Sequence, residues 1–259
     1  MTDLRRTLLG DGGRIVVVAV DHPLYSWPCA GLEDRRAVIR TVVDAGADAI
    51  ICSYGSLRDE RPVFGTCATI LKLDLTTVAV GGSYPVSEYS LAWTLDDATR
   101  LGADAVLTFV QLGAPFELEA LRNAAAVAAA ADRAGVPYVC EIMPVESERF
   151  PEPSAPLAIV AACRVGAELG AHVIKTTMPS TPDAMRETNA FGVPVVLAGG
   201  DPADDREAMF AAVRRACAAG AAGVAFGRNV WGSPDPAETV RRLHEAVHGP
   251  PPQDEVLVP

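Results

Sequence analysis

Eight short apolar runs punctuate this chain, and helical patterns separate most of them. The runs cover residues 14–20, 47–52, 68–73, 103–110, 137–143, 172–176, 193–198 and 223–226. Most are near-continuous and rich in β-branched residues, as in RIVVVAV and VPVVLA. A strand apolar at successive positions must be covered on both faces, which is the condition of a parallel sheet flanked by helices. Helical patterns fall at residues 32–45, 95–101, 116–134, 155–169, 202–219 and 235–247. Several open on acidic residues and most stop at glycine, as the helix dipole and the left-handed C-cap favour. Three strands share a lead-in: Ala45-Gly46-Ala47-Asp48, Leu101-Gly102-Ala103-Asp104 and Ala219-Gly220-Ala221-Ala222-Gly223. Eight strand–helix units predict an α/β fold, a (β/α)8 TIM barrel, as one domain over residues 1–248. Residues 249–259 read as a flexible C-terminal tail. The alternative is an open doubly wound sheet. It is weakened because Gly10-Asp11-Gly12-Gly13 precedes the first strand and no G-x-G-x-x-G follows it.

Charge removes several function classes. The chain carries 33 Asp+Glu against 22 Lys+Arg, a formal net charge of −11. A nucleic-acid binder needs a basic face to displace counterions, so none is expected. No apolar run is long enough to span a membrane, and residues 1–10 lack the features of a signal peptide. Six cysteines occur with no C-x-x-C spacing and no Cys/His cluster, so zinc and other metals are not expected. Cysteines in apolar runs read as small buried hydrophobes of a reduced, cytoplasmic protein.

Only two of the 22 basic residues are lysines, Lys72 and Lys175. Both fall at the ends of strand runs, where a barrel does its chemistry. Lysine has an amine that can lose its proton and attack a carbonyl, which arginine lacks. Lys175 follows His172-Val173-Ile174, and apolar surroundings disfavour its ammonium form. It is either an imine-forming nucleophile or the partner of a nearby carboxylate. Glu141 interrupts an apolar strand, where a carboxylate is costly unless paired or functional; it reads as a proton shuttle or a structural salt bridge. Asp21 ends the first strand and is either an acid/base group or a capping residue. Ala198-Gly199-Gly200-Asp201 and Phe226-Gly227-Arg228-Asn229 end the last two strands. Loops there commonly cradle phosphate, and Arg228 adds a bidentate cation; plain turn glycines are the alternative.

The chain resembles the class I aldolases of the DhnA type and the related tagatose-bisphosphate aldolases. The resemblance rests on Val18-Ala-Val-Asp21-His22, Ile70-Leu-Lys72-Leu, Leu101-Gly-Ala-Asp-Ala-Val106, Val173-Ile-Lys175, Val196-Leu-Ala-Gly199-Gly200 and Gly227-Arg228-Asn229-Val-Trp231. It implies a barrel with the Schiff-base lysine at Lys175 and the acid/base aspartate at Asp21. It further implies a sugar-phosphate site at Gly199, Gly200, Gly227 and Arg228. His22 reads as substrate-binding, and Lys72 as a neighbouring positive charge that keeps Lys175 deprotonated or contacts substrate oxygens. Two positions depart from the pattern. The usual catalytic tyrosine is replaced by Met143 before Pro144, and the glycine after the D-H pair by Pro23. Glu141-Ile142-Met143 is similar to the glutamate context of the tagatose-bisphosphate branch, so the proton-transfer role passes to Glu141.

The resemblance thus implies a class I aldolase with no metal and no cofactor beyond its own lysine imine. Its partners are a phosphorylated ketone, such as dihydroxyacetone phosphate or a ketose phosphate, and an aldehyde. The family includes enzymes that use aspartate semialdehyde in biosynthesis. Coenzyme A-dependent, thiolase-like acyl transfer on a phosphorylated diketone, or a non-catalytic sugar-phosphate-binding barrel, are the competing readings. A homo-oligomer is expected, with Trp93, Phe116 or the proline tail contributing.

Overall fold

Alternation within the apolar runs sorts their side chains into two cores. Odd positions of the first run, Ile15, Val17 and Ala19, join an inner cluster with Ile51, Ile70, Leu107, Val139, Val173 and Val196. Their neighbours Val16, Val18, Ile50, Leu71, Val106, Ile174 and Leu197 face outward into a second cluster shared with the helices. Successive strand residues point to opposite faces, so a doubly covered strand feeds both cores at once. In this computed structural model, which describes residues 3–77, 79–80 and 88–250, the strands close into a barrel. The barrel strands are β1 (Ile15–Ala19), β2 (Ala49–Cys52), β3 (Ala68–Lys72), β4 (Ala105–Leu112), β5 (Tyr138–Pro144), β6 (Val173–Thr177), β7 (Val195–Ala198) and β8 (Gly223–Phe226). All neighbouring pairs are parallel, and β1 pairs with both β8 and β2. This is the expected (β/α)8 fold. Leu8 and Leu9, from a helix at Leu4–Leu9, join the inner cluster below the strands.

The repeated lead-in has a mechanical cause. Asp48 Oδ2 accepts the Val16 amide at 2.7 Å, and Asp104 Oδ2 accepts the Thr69 amide at 2.8 Å. Each aspartate thus ties the start of its own strand to the strand before it. His172 does the same before β6, where its Nδ1 accepts the Tyr138 amide at 3.0 Å.

Helices at Arg35–Asp44, Leu95–Arg100, Glu117–Ala134, Pro156–Glu168, Arg206–Ala218 and Pro236–His248 occupy the expected stretches, each trimmed at one or both ends. Two further units were not marked by periodicity. Tyr54–Phe64 is capped by Ser53 but holds Pro62 inside, and Pro182–Asn189 is mostly polar and capped by Thr181. A breaker in one and a thin apolar stripe in the other hide the 3.6-residue repeat. Two pairs of short strands, Ser26–Trp27 with Ala79–Val80 and Asp74–Thr76 with Tyr89–Leu91, lie in the β1 and β3 loops. Of the expected tail, residues 251–259 lie outside the described residues. Among the described residues no helix is long and apolar enough to cross a membrane. All six cysteines are free, and burial pushes the Cys140 and Cys163 thiols up to about 12.

The closing seam fixes one glycine. Gly223 starts β8 at φ 138°, and a Cβ there would meet Ile15 O at 1.8 Å. Gly223→Ala is therefore expected to destabilise the protein by about 3 kcal/mol or more, while Gly12→Ala, with open space around it, changes little. Urea denaturation of both variants checks this, and equal midpoints would show the seam tolerates a side chain.

Candidate active site

Following the inward positions up each strand leads from apolar to reactive groups. Two residues beyond Ile70 is Lys72, beyond Leu107 is Phe109, beyond Val139 is Glu141, and beyond Val173 is Lys175. Strand register places Phe109 opposite Glu141 and Glu141 opposite Lys175. Inward parity and parallel register therefore bring these groups to one level. They line a cavity of about 400 Å³ at the C-terminal ends of the strands. The same wall carries His22, Tyr25, Gly199, Gly200, Gly227 and Arg228. Eight of the nine residues expected from the sequence meet here. Asp21 does not line the cavity: it is buried beside it, 3.8 Å from His22 Nδ1, and its Oδ1 has no hydrogen-bond partner.

Lys175 Nζ donates to Glu141 Oε1 at 2.5 Å, and both side chains are largely withdrawn from solvent. Lys72 Nζ donates to Asp74 Oδ1 at 2.5 Å, and the other Asp74 oxygen accepts the Phe109 amide. Desolvation of Lys72 works against its ammonium, yet Asp74, then Glu141 and Asp21, outweigh it and hold its pKa above the ordinary value. Lys72 is thus a fixed positive charge, 5.3 Å from the centre of the Phe109 ring. Burial, then the charges of Lys175 and Arg228, lowers the His22 pKa to about 3, so its imidazole is neutral near pH 7. Burial, reinforced by Asp21 and Glu141, raises the Tyr25 phenol well above its ordinary range and keeps it protonated.

The glycine turns are built for close approach. A Cβ at Gly227 would stand 2.4 Å from the His22 ring, and one at Gly199 would press on Phe226 at 2.9 Å. Asn229 holds the two turns together: it donates to the Gly199 and Asp201 carbonyls and accepts the Ala203 amide. Arg228 pairs with Asp201 at the rim. Trp231 donates to the Ala19 carbonyl at 3.0 Å and meets the His22 ring edge-on.

A barrel whose strand ends carry a largely buried lysine–glutamate pair beside tight glycine turns holds the parts that an enzyme forming an imine with a carbonyl substrate needs. The family model for DeoC/LacD aldolases matches residues 15–233. The chain is 33% identical over 246 residues to a 2-amino-4,5-dihydroxy-6-oxo-7-(phosphonooxy)heptanoate synthase of Streptomyces griseus, covering 95% of this chain and 89% of that one. It is 34% identical over 255 residues to a 2-amino-3,7-dideoxy-D-threo-hept-6-ulosonate synthase of Halobacterium salinarum, covering 96% and 93%. An archaeal fructose-1,6-bisphosphate aldolase, with its catalytic lysine bound to a carbinolamine intermediate, superimposes with a TM-score of 0.84 at 25% identity, covering 95% of this chain and 99% of that one. The chain belongs to the DeoC/LacD aldolase family and is a class I aldolase, a carbon–carbon lyase.

The sequence pattern marks Asp74 as a strand end beside Lys72 and residues 24–28 as a segment that reshapes the acceptor side. It assigns no role to Tyr25 or Asp74 and does not mark Phe109 or the bracing role of Asn229. Tyr25 stands in the loop LYSWP, whose composition gives no hint of its direction. Asp74 was readable: it stands two residues after a buried lysine, on the same strand face. Phe109 was readable by the same parity.

The neutral His22 has a consequence for stability. Its folded pKa is about 3 against an ordinary 6.5, so between those values the unfolded chain binds the proton more readily. Stability must therefore fall as pH drops below 6.5, with no contribution from this group above it. The His22 contribution is about 2 kcal/mol between pH 6.5 and about 4.5. His22→Phe, which keeps a ring beside Trp231, should flatten this slope in denaturation at several pH values. An unchanged slope would show that the imidazole is not held neutral.

Proposed function

We propose that Lys175 attacks the carbonyl of dihydroxyacetone phosphate and that the resulting enamine adds to an aldehyde. The observation that carries this reading is the 2.5 Å contact between Lys175 Nζ and Glu141 Oε1 inside the cavity bearing the glycine turns. Glu141 takes a proton from the lysine, and the free amine adds to the carbonyl carbon. The carbonyl oxygen leaves as water after two protonations, giving an iminium. The iminium draws electrons from the adjacent carbon, the Glu141 carboxylate takes a proton from that carbon, and an enamine forms. The enamine carbon then bonds to the aldehyde carbon, and the aldehyde oxygen takes a proton from the Tyr25 phenol. The proton that Glu141 removed from the donor carbon restores the phenol. Water returns the lysine amine and releases the ketose phosphate.

Each neighbour has a part in this scheme. Glycine turns at Gly199–Gly200 and Gly227, with Arg228, hold the phosphate; Arg228 exchanges Asp201 for it. Lys72, held charged by Asp74, attracts substrate oxygens and disfavours a second ammonium nearby. Asp21 acts from behind the wall, keeping Tyr25 protonated. Met143 leaves an apolar patch where a polar group would contact the acceptor. The Streptomyces relative is named for a product with a ketone at C6 and a phosphonooxy group at C7, beside hydroxyls at C4 and C5. Joining a three-carbon phosphorylated ketone to a four-carbon amino-acid aldehyde gives that pattern. Aspartate semialdehyde is therefore the acceptor proposed here, and the direction is synthesis.

Borohydride reduction with dihydroxyacetone phosphate should add the ketone's mass irreversibly to the peptide bearing Lys175. Lys175→Ala should lose the adduct and on the order of 10³-fold or more in turnover, and Glu141→Gln on the order of 10²-fold. An adduct elsewhere, or none with any phosphorylated ketone, would overturn the assignment. Turnover that requires coenzyme A would instead favour acyl transfer. Tyr25→Phe separates the steps: adduct formation should persist while kcat with aldehyde drops about 10²-fold. A variant with unchanged kcat would remove Tyr25 from the scheme.

A further inference from the structure

A second cluster of chemistry-bearing side chains lies at the opposite end of the barrel from Lys175. His244 and His248 are one turn apart on the helix Pro236–His248, their rings 4.2 Å apart and tilted by 34°. Asp48, which immediately precedes β2, faces them: His248 Nε2 lies 3.1 Å from Asp48 Oδ2. One nitrogen from each imidazole and one Asp48 oxygen all lie within 4.8 Å of one another.

We propose that Asp48, His244 and His248 form a divalent transition-metal site, of the zinc type, that staples the C-terminal helix to the floor of the barrel. Ligand bonds of about 2.0–2.2 Å put neighbouring donor atoms roughly 3–4 Å apart, so modest side-chain rotation closes the set. Two imidazoles and one carboxylate select zinc and its transition-metal neighbours over magnesium or calcium, which prefer all-oxygen shells. The carboxylate is already oriented, because the Val16 amide donates to Asp48 Oδ2 at 2.7 Å. Among the described residues, His244 makes no hydrogen bond or ion pair, which leaves its ring nitrogens open to a ligand. The side chains of His248 and Asp48 are 28% and 34% exposed, which leaves water room to complete the shell. The site binds the helix to the β1–β2 lead-in and takes no part in imine chemistry.

The full chain, stripped with EDTA, is titrated with zinc ions alone by calorimetry. One site per chain is expected, together with a rise in Tm of roughly 5 °C at saturating zinc. His244→Asn should weaken binding at least about tenfold and abolish the rise. Lysine trapping by borohydride should be unchanged in that variant and in EDTA. Cobalt(II) substitution should give visible absorption bands that His248→Asn removes. Absence of saturable binding, or equal affinity in His244→Asn, overturns the proposal and leaves the Asp48–His248 hydrogen bond as the whole of the contact. Neither result bears on whether Lys175 forms the imine.

Discussion

The two-residue period of the barrel strands is the constraint on which the rest depends. Once Ile70, Leu107, Val139 and Val173 are committed to the interior, Lys72, Phe109, Glu141 and Lys175 must point inward too. No separate device is needed to aim the cavity groups. A one-residue slip of any strand would expel its reactive residue and its core residues together, so the energy that holds the register also holds the site. Precision in the Lys175–Glu141 pair is thus inherited from dozens of apolar contacts rather than from the pair itself.

Placing charge in that interior carries a cost that the structure offsets locally. Each ionised group withdrawn from water loses several kcal/mol of solvation unless a partner restores it. Lys72 is met by Asp74, which is in turn held by the Phe109 amide. Lys175 is met by Glu141. His22 Nδ1 has no hydrogen-bond partner, with Asp21 3.8 Å away, and the ring avoids the cost by staying neutral. The chain's net charge of −11 would repel a phosphorylated substrate at long range, so attraction must come from this small group of cations. Screening by salt confines the repulsion to about 8 Å at physiological ionic strength, while the cavity cations act at contact distance.

The same two-residue period decides what the sequence shows and what it hides. The strands were legible because β-branched apolar runs have few other uses at this spacing. Both lysines were legible as candidates for a related reason: a chain that fills basic positions with arginine keeps lysine at only two, and both fall at strand ends. Tyr25 was not legible, because its position in the cavity depends on a loop path set by the 3₁₀ turn His22–Leu24 and by packing against His22. Asp21 was legible as a residue but not as a location, since being the last polar group of a strand does not say whether it faces the cavity or backs it. The helix Tyr54–Phe64 was masked by Pro62, a residue whose local penalty is overridden by packing of Leu57 and Phe64.

The two ends of the barrel divide the work that one set of strands makes possible. At the C-terminal ends, the cavity groups project as side chains from the last strand residues and from the loops that follow, so they can be exchanged without breaking backbone pairing. At the N-terminal ends, Asp48, Asp104 and His172 each use a side chain to hold the amide of the preceding strand. A change at this end disturbs the seam between strands and is felt as lost stability, while a change at the other end is felt as altered chemistry. Met143 fits the second rule: it stands on the inward face of β5 in the cavity wall, where substituting one side chain reshapes the acceptor's surroundings without touching strand register. In the proposed reaction the chemistry is therefore set deep in the strands, at Glu141 and Lys175, and the choice of aldehyde is left to residues one layer above.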